Sequence, residues 1–155
     1  MTTIKPATLE QSTVASLENL AIASAASLLG RLMISALFLV SGIGKITAPA
    51  ATIGYIASAG LPLPQLGLAI AITVELILVP ALALGYRTRW VASVIAAYSF
   101  ATALFFHRDV ADLNQFLHFL KNIAIAGGLL QIVGFGAGRF SLDAWFQNSA
   151  EAIKH

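Results

Sequence analysis

Four long apolar segments, separated by short polar stretches, dominate the hydrophobic pattern of this chain. A helix needs about 20 predominantly apolar residues to cross the hydrocarbon core of a bilayer. Each segment approaches that length, so the pattern predicts an all-α integral membrane protein with a four-helix bundle over residues 25–137. The predicted spans are residues 25–43, 66–84, 90–106 and 116–137.

The remaining segments are predicted to lie outside the membrane or at its surface. Residues 1–24 carry scattered charges and predict an N-terminal cytoplasmic tail, with a helix beginning near Ser12. In the first outer loop, Pro49 can open a short amphipathic helix and Gly60 can end it. Residues 138–155 combine aromatic and charged side chains, a mixture typical of an interfacial C-terminal helix.

Polar residues in the first predicted span recur at helical spacing. All of them except Ser27 and Ser41 fall on a single stripe, and a polar stripe facing lipid would be penalised. We therefore expect the stripe to face the bundle interior. Its members are Arg31, Ser35, Phe38, Gly42 and Lys45.

Composition agrees with the hydrophobic pattern. Of the 155 residues, 58% are hydrophobic and 10% charged, whereas a soluble domain carries roughly 25% charged residues. The net charge of +2 gives no electrostatic footprint for nucleic acid. The absence of cysteine excludes disulfides, thiol relays and thiolate-bound clusters.

The distribution of basic residues predicts the orientation of the bundle. Basic residues in short loops favour the cytoplasmic side. With four spans, both termini lie on the same side as the link between spans two and three, which is the more basic side, so both are predicted to be cytoplasmic. That side carries Lys5, Arg87, Arg89, Arg139 and Lys154, against Lys45 and Arg108 on the other.

One charge, Glu75, lies in the middle of the second span, and Pro80 removes a helical hydrogen bond close to it. A carboxylate there costs at least ~2.5–3.5 kcal/mol, so it should face protein and a basic partner. Helical rise places Glu75 about 13 Å, Lys121 about 8 Å and Arg31 about 20 Å from the outer surface. Lys121 is the first expected partner and Arg31 the second, since Lys45 would have to reach inward. Such a pair either fixes helix register or forms a proton-relay or headgroup-binding site.

A second polar constellation surrounds the second outer loop. His107, Asp109, Asp112, Gln115 and His118 offer imidazole and carboxylate groups that suit a divalent metal. No tight spacing such as H-E-x-x-H is present, so these residues are weak metal candidates. Two other interpretations are histidines bonded to backbone or lipid headgroups, and a haem held by the two histidines.

Two further groups have alternative interpretations. Arg87 and Arg89 either contact lipid phosphates or pair with Asp143, which would anchor the C-terminal helix beneath the bundle. Aromatic residues at helical spacing usually pack in a core, but four side chains could instead line a cavity beside the buried acid. These are Phe38, Tyr98, Thr102 and Phe106.

Taken in order, several segments resemble the DoxX family, and the resemblance covers residues 27–145. As a set, these segments are fairly specific. They are Leu37-Phe-Leu-Val-Ser-Gly-Ile-Gly-Lys45, Ile46-x-x-Pro49, Glu75, Gly85-Tyr-Arg-Thr-Arg89, Phe106-His107, Phe119-Leu-Lys-Asn-Ile-Ala-Ile-Ala-Gly-Gly128 and Gly138-Arg-Phe-Ser-Leu-Asp143.

The resemblance implies a small four-helix protein of the bacterial cytoplasmic membrane, from a family linked to complexes that handle thiosulfate, quinones or oxidative stress. The leading hypothesis is a quinone-linked redox module or accessory subunit of a membrane oxidoreductase. Glu75 would exchange protons and Lys121 would stabilise a developing oxyanion. A partner subunit would supply electrons, because the sequence contains no autonomous redox centre. The candidate quinone-binding residues are Glu75, Lys121, Asn122, Arg31, Lys45 and Tyr98.

Two other functions stay open, and both are compatible with an oligomer. One is a non-catalytic membrane anchor or assembly subunit, docking partner helices through small residues of span four such as Ala124 and Gly128. The other is a pathway for protons or a small solute along Arg31, Glu75 and Lys121.

Overall fold

The computed structural model describes residues 6–153, and four of its helical segments are long and apolar enough to cross a membrane. The predicted all-α membrane bundle is confirmed. Lys5 and Lys154, which contribute to the predicted charge bias, lie outside the described residues. The elements are α1 (Pro6–Thr47), α2 (Pro49–Ser58), α3 (Pro64–Thr73), a π-helical turn (Val74–Leu78), α4 (Val79–Leu84), α5 (Thr88–Phe106), α6 (Leu113–Phe135) and α7 (Leu142–Ala152).

Helix α1 is longer than the sequence pattern predicts. It begins at Pro6, and Ser12, the predicted start, lies inside it. No glycine or proline interrupts residues 7–29, so the helix of the first span continues toward the N-terminus without a stop. Residues 11–23 are exposed along their whole length. The described part of the predicted tail is therefore a helical extension of the first span.

The second span is continuous from Pro64 to Leu84, formed by α3, the π turn and α4. The fourth span begins and ends somewhat earlier than predicted, at Leu113 and Phe135. Asp112 explains its start, because the side chain of this residue accepts a hydrogen bond from the backbone amide of Gln115 at 2.9 Å and so caps the helix.

Both short helices predicted outside the spans are present. Helix α2 has Pro49 at its first position, and Gly60 follows its end with a φ of 84°. Helix α7 is capped by Ser141, whose Oγ accepts a hydrogen bond from the backbone amide of Ala144 at 3.2 Å. Its exposed aromatic side chains, such as Phe146, are typical of the membrane interface.

The core of the bundle is apolar and joins all four spans. Phe38 of α1 packs in this core. The most extensive contact between two helices is that of α5 with α6. The fully buried members of the core include Val79, Leu82, Ala92, Ile95 and Leu129. The outer surface is also apolar, as lipid requires, with Met33, Val40, Ile77, Leu130 and Phe135 exposed.

The predicted interior stripe of α1 is confirmed. Its first four members are buried and Lys45 is partly buried. The stripe thus provides a cation at each end, with an aromatic ring and a glycine between them. Arg31 holds the ends of helices together, and Lys45 forms part of the candidate site.

The fully buried Arg31 fastens one end of the bundle. Its Nη1 donates to the carbonyls of Leu82 at 3.2 Å and Ala83 at 2.8 Å, while Nη2 donates to those of Ala137 at 3.3 Å and Phe140 at 2.6 Å. These carbonyls lie at the C-terminal ends of the second and fourth spans or just beyond, where helices carry partial negative charge. We call this arrangement the Arg31 clasp.

Candidate functional site

Glu75 lies in the π turn Val74–Leu78, halfway along the second span. Pro80 follows five residues later. It has no N–H to donate, and its ring crowds the turn before it. The wider π turn accommodates this ring, with the amide of Val79 donating to the carbonyl of Val74. Such turns occur frequently at functional sites in helices.

Helix α1 approaches the π turn at Gly42. A Cβ added there would lie 2.7 Å from Cδ2 of Leu76 and 3.0 Å from Cβ of Glu75. A side chain at position 42 would therefore require the Leu76 side chain to move and would press against Cβ of Glu75. The close approach places Lys45, three residues further along α1, beside the carboxylate.

Three side chains surround the Glu75 carboxylate. Lys45 Nζ donates to Oε1 at 2.9 Å and to Oε2 at 2.8 Å, and the hydroxyl of Tyr98 donates to Oε1 at 2.7 Å. The ammonium group also donates to Oγ of Ser41 at 2.7 Å. The side chain of Glu75 is 3% exposed and that of Lys45 24%. We call Lys45, Glu75 and Tyr98 the Glu75 cluster.

The prediction of Lys121 or Arg31 as the partner of Glu75 was wrong. Lys45 forms the ion pair. Side chains in a helix lean toward its N-terminus. Lys45 therefore leans inward from the end of α1, and Glu75 leans outward to meet it. Lys121 leans away, and its Nζ lies 2.9 Å from Nδ1 of His118. Arg31 leans toward the opposite membrane face and enters the clasp. The depth of each residue along its helix axis, on which the prediction was based, does not include the direction in which the side chain leans.

A cavity of about 390 Å³ adjoins the Glu75 cluster. Phe38, Tyr98, Thr102 and Phe106 all line this cavity, which is the second of the two interpretations given for them, and Phe38 also packs in the core. Lys121 and Asn122 also line it, although Lys121 makes no ion pair with Glu75, and Arg31 is absent from its walls. Most of the remaining lining is apolar, including Leu37, Ile56, Leu61, Ile70, Ala71 and Phe105.

Asn122 and Tyr98 are held in place by neighbouring groups. The Asn122 amide Nδ2 donates to the carbonyl of His118 at 2.9 Å. The ring of Tyr98 lies against Phe38, with 6.3 Å between ring centroids. Thr102 Oγ1 donates to the Tyr98 carbonyl at 2.9 Å. Asn122 is therefore oriented by its own helix, and Tyr98 by Phe38 of α1 and by its hydrogen bond to Glu75, before any ligand enters.

The weak metal candidates of the outer loop have local structural partners. Asp109 Oδ1 accepts from the backbone amide of Ala111 at 3.1 Å, and Asp112 caps α6. The rings of His107 and His118 stack with centroids 5.1 Å apart. Within residues 6–153, no group of three or more His, Asp or Glu side chains is arranged to hold a metal ion. Stacked rings also leave no room for a haem iron between them.

Asp143 anchors α7 beneath the bundle, but through backbone amides and not through the arginine side chains, as one of the two interpretations had it. Its Oδ1 accepts from the amide of Arg87 at 2.7 Å and its Oδ2 from the amide of Thr88 at 2.9 Å, which caps the start of α5. Its own amide donates to the carbonyl of Gly85 at 2.9 Å. Arg87 adopts a φ of 43°, in the left-handed region, at this turn.

The DoxX family model matches residues 26–108, more than half of the chain. The chain belongs to the DoxX family. Two curated relatives come from Escherichia coli strain K12. Inner membrane protein YqjF is 35% identical over 116 residues, which cover 75% of this chain and 88% of the relative. Inner membrane protein YphA is 32% identical over 122 residues, which cover 75% of this chain and 86% of the relative. No solved structure matches the chain significantly.

The DoxX match contains the whole Glu75 cluster. Lys45 lies on α1, Glu75 in the second span and Tyr98 on α5, all within residues 26–108. Lys121 and Asn122 lie on α6, beyond the matched region. The part of this DoxX protein that the family model describes thus contains both members of the ion pair and the tyrosine donor.

Proposed function

We propose that this DoxX-family protein is a multi-pass protein of the bacterial inner membrane that serves as a quinone-linked module or accessory subunit of a membrane oxidoreductase. The observation that carries the proposal is the Glu75 cluster in the wall of a mostly apolar cavity. The names of the two relatives support the inner-membrane location. The basic loops support cytoplasmic termini.

The cavity suits a flat apolar ring with polar substituents. Its volume of about 390 Å³ lies within the range of small-molecule sites, which are mostly apolar with a few placed polar groups. Lys45, Tyr98, Lys121 and Asn122 can donate hydrogen bonds to carbonyl oxygens. Glu75 can accept one from a hydroxyl. A quinone headgroup needs this combination of donors and acceptor, because its oxygens are carbonyls when oxidised and hydroxyls when reduced.

The chain's residues can supply protons and electrostatic support. A bound quinone would accept two electrons and two protons per reduction. The carboxylate of Glu75 can bind and release a proton near the ring, and the 2.7 Å hydrogen bond from the Tyr98 hydroxyl holds that carboxylate in position. The ammonium groups of Lys45 and Lys121 would stabilise negative charge on a ring oxygen. We propose that a partner subunit donates the electrons, since the sequence contains no cysteine and no recognised cofactor motif.

A second candidate function, a non-catalytic anchor, is favoured by one surface of α6. Ala124 and Gly127 are exposed on this helix, and a Cβ added at Gly127 would meet nothing within 4 Å. A helix of a partner could approach closely there. Gly128, expected to take part, instead faces α1, where its added Cβ would lie 3.7 Å from Ile34. The third candidate, a proton or solute pathway along Arg31, Glu75 and Lys121, is not favoured, because Arg31 lies outside the cavity that the other two residues line.

Titration with a short-tailed quinone, followed by thermal unfolding of the detergent-solubilised protein, tests the proposal. We expect saturable stabilisation of the wild-type protein. Glu75→Gln and Tyr98→Phe each alter one member of the Glu75 cluster and should weaken apparent affinity about tenfold or more, as expected for hydrogen bonds involving a charged group. Each variant is compared with its own unliganded melting temperature, so that altered stability is not mistaken for altered binding.

Arg108→Gln is the matched control, because it removes one charge from the exposed outer loop and leaves the cavity unchanged. It should bind quinone as the wild type does. Indifference of the wild-type protein to every quinone would reject the proposal and favour the anchor function. Equal stabilisation of the wild type and both cluster variants would place the quinone outside this cavity.

A further inference from the structure

A basic groove lies at the end of the bundle opposite the cavity. It has a volume of about 1020 Å³ and runs between the start of α5, the connection from α6 to α7, and α7. Three exposed arginines line it, Arg87, Arg89 and Arg139, together with one carboxylate, Asp143. The groove therefore has a net positive charge.

The charges of the groove are not neutralised within the described chain. Asp143 accepts hydrogen bonds from two backbone amides and holds α7. Among residues 6–153, the guanidinium groups of the three arginines form no hydrogen bond or ion pair. Three planar, cationic donors around one groove are suited to the oxygens of a phosphate.

Thr88 gives an independent indication of a ligand. Its side chain is 1% exposed and lines the groove, yet its Oγ1 has no hydrogen-bond partner among the described residues. A buried hydroxyl without a partner is costly, and native structures usually satisfy one. The Arg89 side chain lies against the groove wall at Gly136, where an added Cβ would be 3.7 Å from its Nε.

The rim of the groove indicates a lipid and not a soluble phosphate. Trp90, Phe135 and Phe140 line it and are exposed. Exposed tryptophan and phenylalanine beside arginines are typical of the level of the headgroups in a bilayer. A phospholipid uses both parts of such a groove, with its phosphate among the arginines and its chains along the aromatic rim. A soluble phosphate uses only the first.

We propose that the basic groove is a specific site for an anionic phospholipid, with the headgroup phosphate bound by Arg89 and Arg139 and within reach of the Thr88 hydroxyl. The site is separate from the cavity and does not depend on the quinone proposal. An anionic lipid is preferred because a zwitterionic headgroup brings its own cation into a groove that already carries excess positive charge. Each arginine near an anionic surface contributes a roughly fivefold preference.

The chain has two tryptophans, and Trp90 lines the groove, which allows a direct measurement. In a Trp145→Phe background, Trp90 is the only tryptophan. The full-length protein is reconstituted with mixtures of ordinary lipid and brominated phosphatidylglycerol or brominated phosphatidylcholine. Bromine quenches tryptophan on contact, so the quenching curves give the relative affinity of the two lipids at the groove.

We expect phosphatidylglycerol to be preferred, and the preference to fall about 25-fold in the Arg89→Gln, Arg139→Gln double variant. Arg108→Gln, which removes an exposed arginine at the other end of the bundle, should leave the preference unchanged. The side chains of the two groove arginines form no hydrogen bond or ion pair within the described chain, and unchanged SDS unfolding would confirm an intact fold.

Two results would overturn the proposal. Equal quenching by the two lipids in the wild-type background would mean that the groove has no specificity for anionic lipid. Displacement of brominated phosphatidylglycerol by inorganic phosphate, beyond the effect of chloride at the same ionic strength, would mean that the occupant is a soluble phosphate compound. Neither result bears on the quinone titration, so the two proposals can fail separately.

Discussion

Replacing Lys45 with glutamine should destabilise the protein far more than replacing its partner Glu75 with glutamine. Lys45→Gln leaves a carboxylate that is 3% exposed in the middle of a span, with the Tyr98 hydroxyl as its remaining side-chain donor. Glu75→Gln leaves an ammonium group that is 24% exposed near the end of α1. That group can extend its flexible stem toward the membrane surface, whereas the carboxylate cannot move out of the π turn.

The size of the difference follows from burial. Removing one partner of a buried ion pair costs about 3–5 kcal/mol, and the partial exposure of Lys45 places its removal near the lower value, about 3 kcal/mol. For Glu75→Gln we expect about 1 kcal/mol, because the amide oxygen still accepts the Tyr98 hydrogen bond and the ammonium group is free to rehydrate. The double variant should be more stable than Lys45→Gln alone, since no buried charge remains.

Unfolding in mixed micelles with increasing SDS measures these free energies. Lys121→Gln is the control: it makes the same change in charge at a residue on the cavity wall that does not pair with Glu75, and it should cost less than about 1 kcal/mol. The reasoning fails if Glu75→Gln costs as much as Lys45→Gln. It fails equally if the double variant loses the sum of the two single effects.

Three other outcomes are expected. Gly85→Ala should cost about 3 kcal/mol in the same unfolding assay, because φ is 71° and the new Cβ would lie 2.5 Å from Ser141 Cβ. Gly127→Ala is its control, since the space around Gly127 is open, and it should change the stability by less than about 1 kcal/mol. Asp143→Ala removes the cap of α5 and should cost about 1–2 kcal/mol and speed proteolysis within α7, while cleavage elsewhere stays unchanged. A C-terminal fluorescent-protein fusion, which folds only in the cytoplasm, should fluoresce, and alkaline phosphatase at the same position should be inactive.

The architecture was predictable because it depends on patterns that the bilayer enforces. Four apolar segments define the spans, and the stripe from Arg31 to Lys45 shows which face of α1 is buried. Proline and glycine at the ends of α2 mark that helix. The length of α1 was not predictable from the same signals, since residues 11–23 are polar enough for a tail yet contain nothing that ends a helix.

The central residue of the candidate site, Glu75, was predictable from the sequence, but its ion-pair partner, Lys45, was not. A mid-span carboxylate required a cation, but three cations lay within reach by depth alone. The choice depended on the direction in which each side chain leans, and on the close approach at Gly42, which is a packing property. Asp143 was recognised as an anchor, but a carboxylate can bind backbone amides as well as guanidinium groups, and the sequence does not distinguish them.

The Arg31 clasp has a mechanical consequence. It joins three of the four membrane-crossing segments at a single end, through hydrogen bonds from one buried guanidinium group to four backbone carbonyls. The Glu75 cluster also links three spans, but through side-chain contacts beside a cavity. Backbone hydrogen exchange should therefore be slowest near the clasp and faster beside the cavity. A bulky apolar molecule coming sideways from the bilayer would enter between the helices on the cavity side.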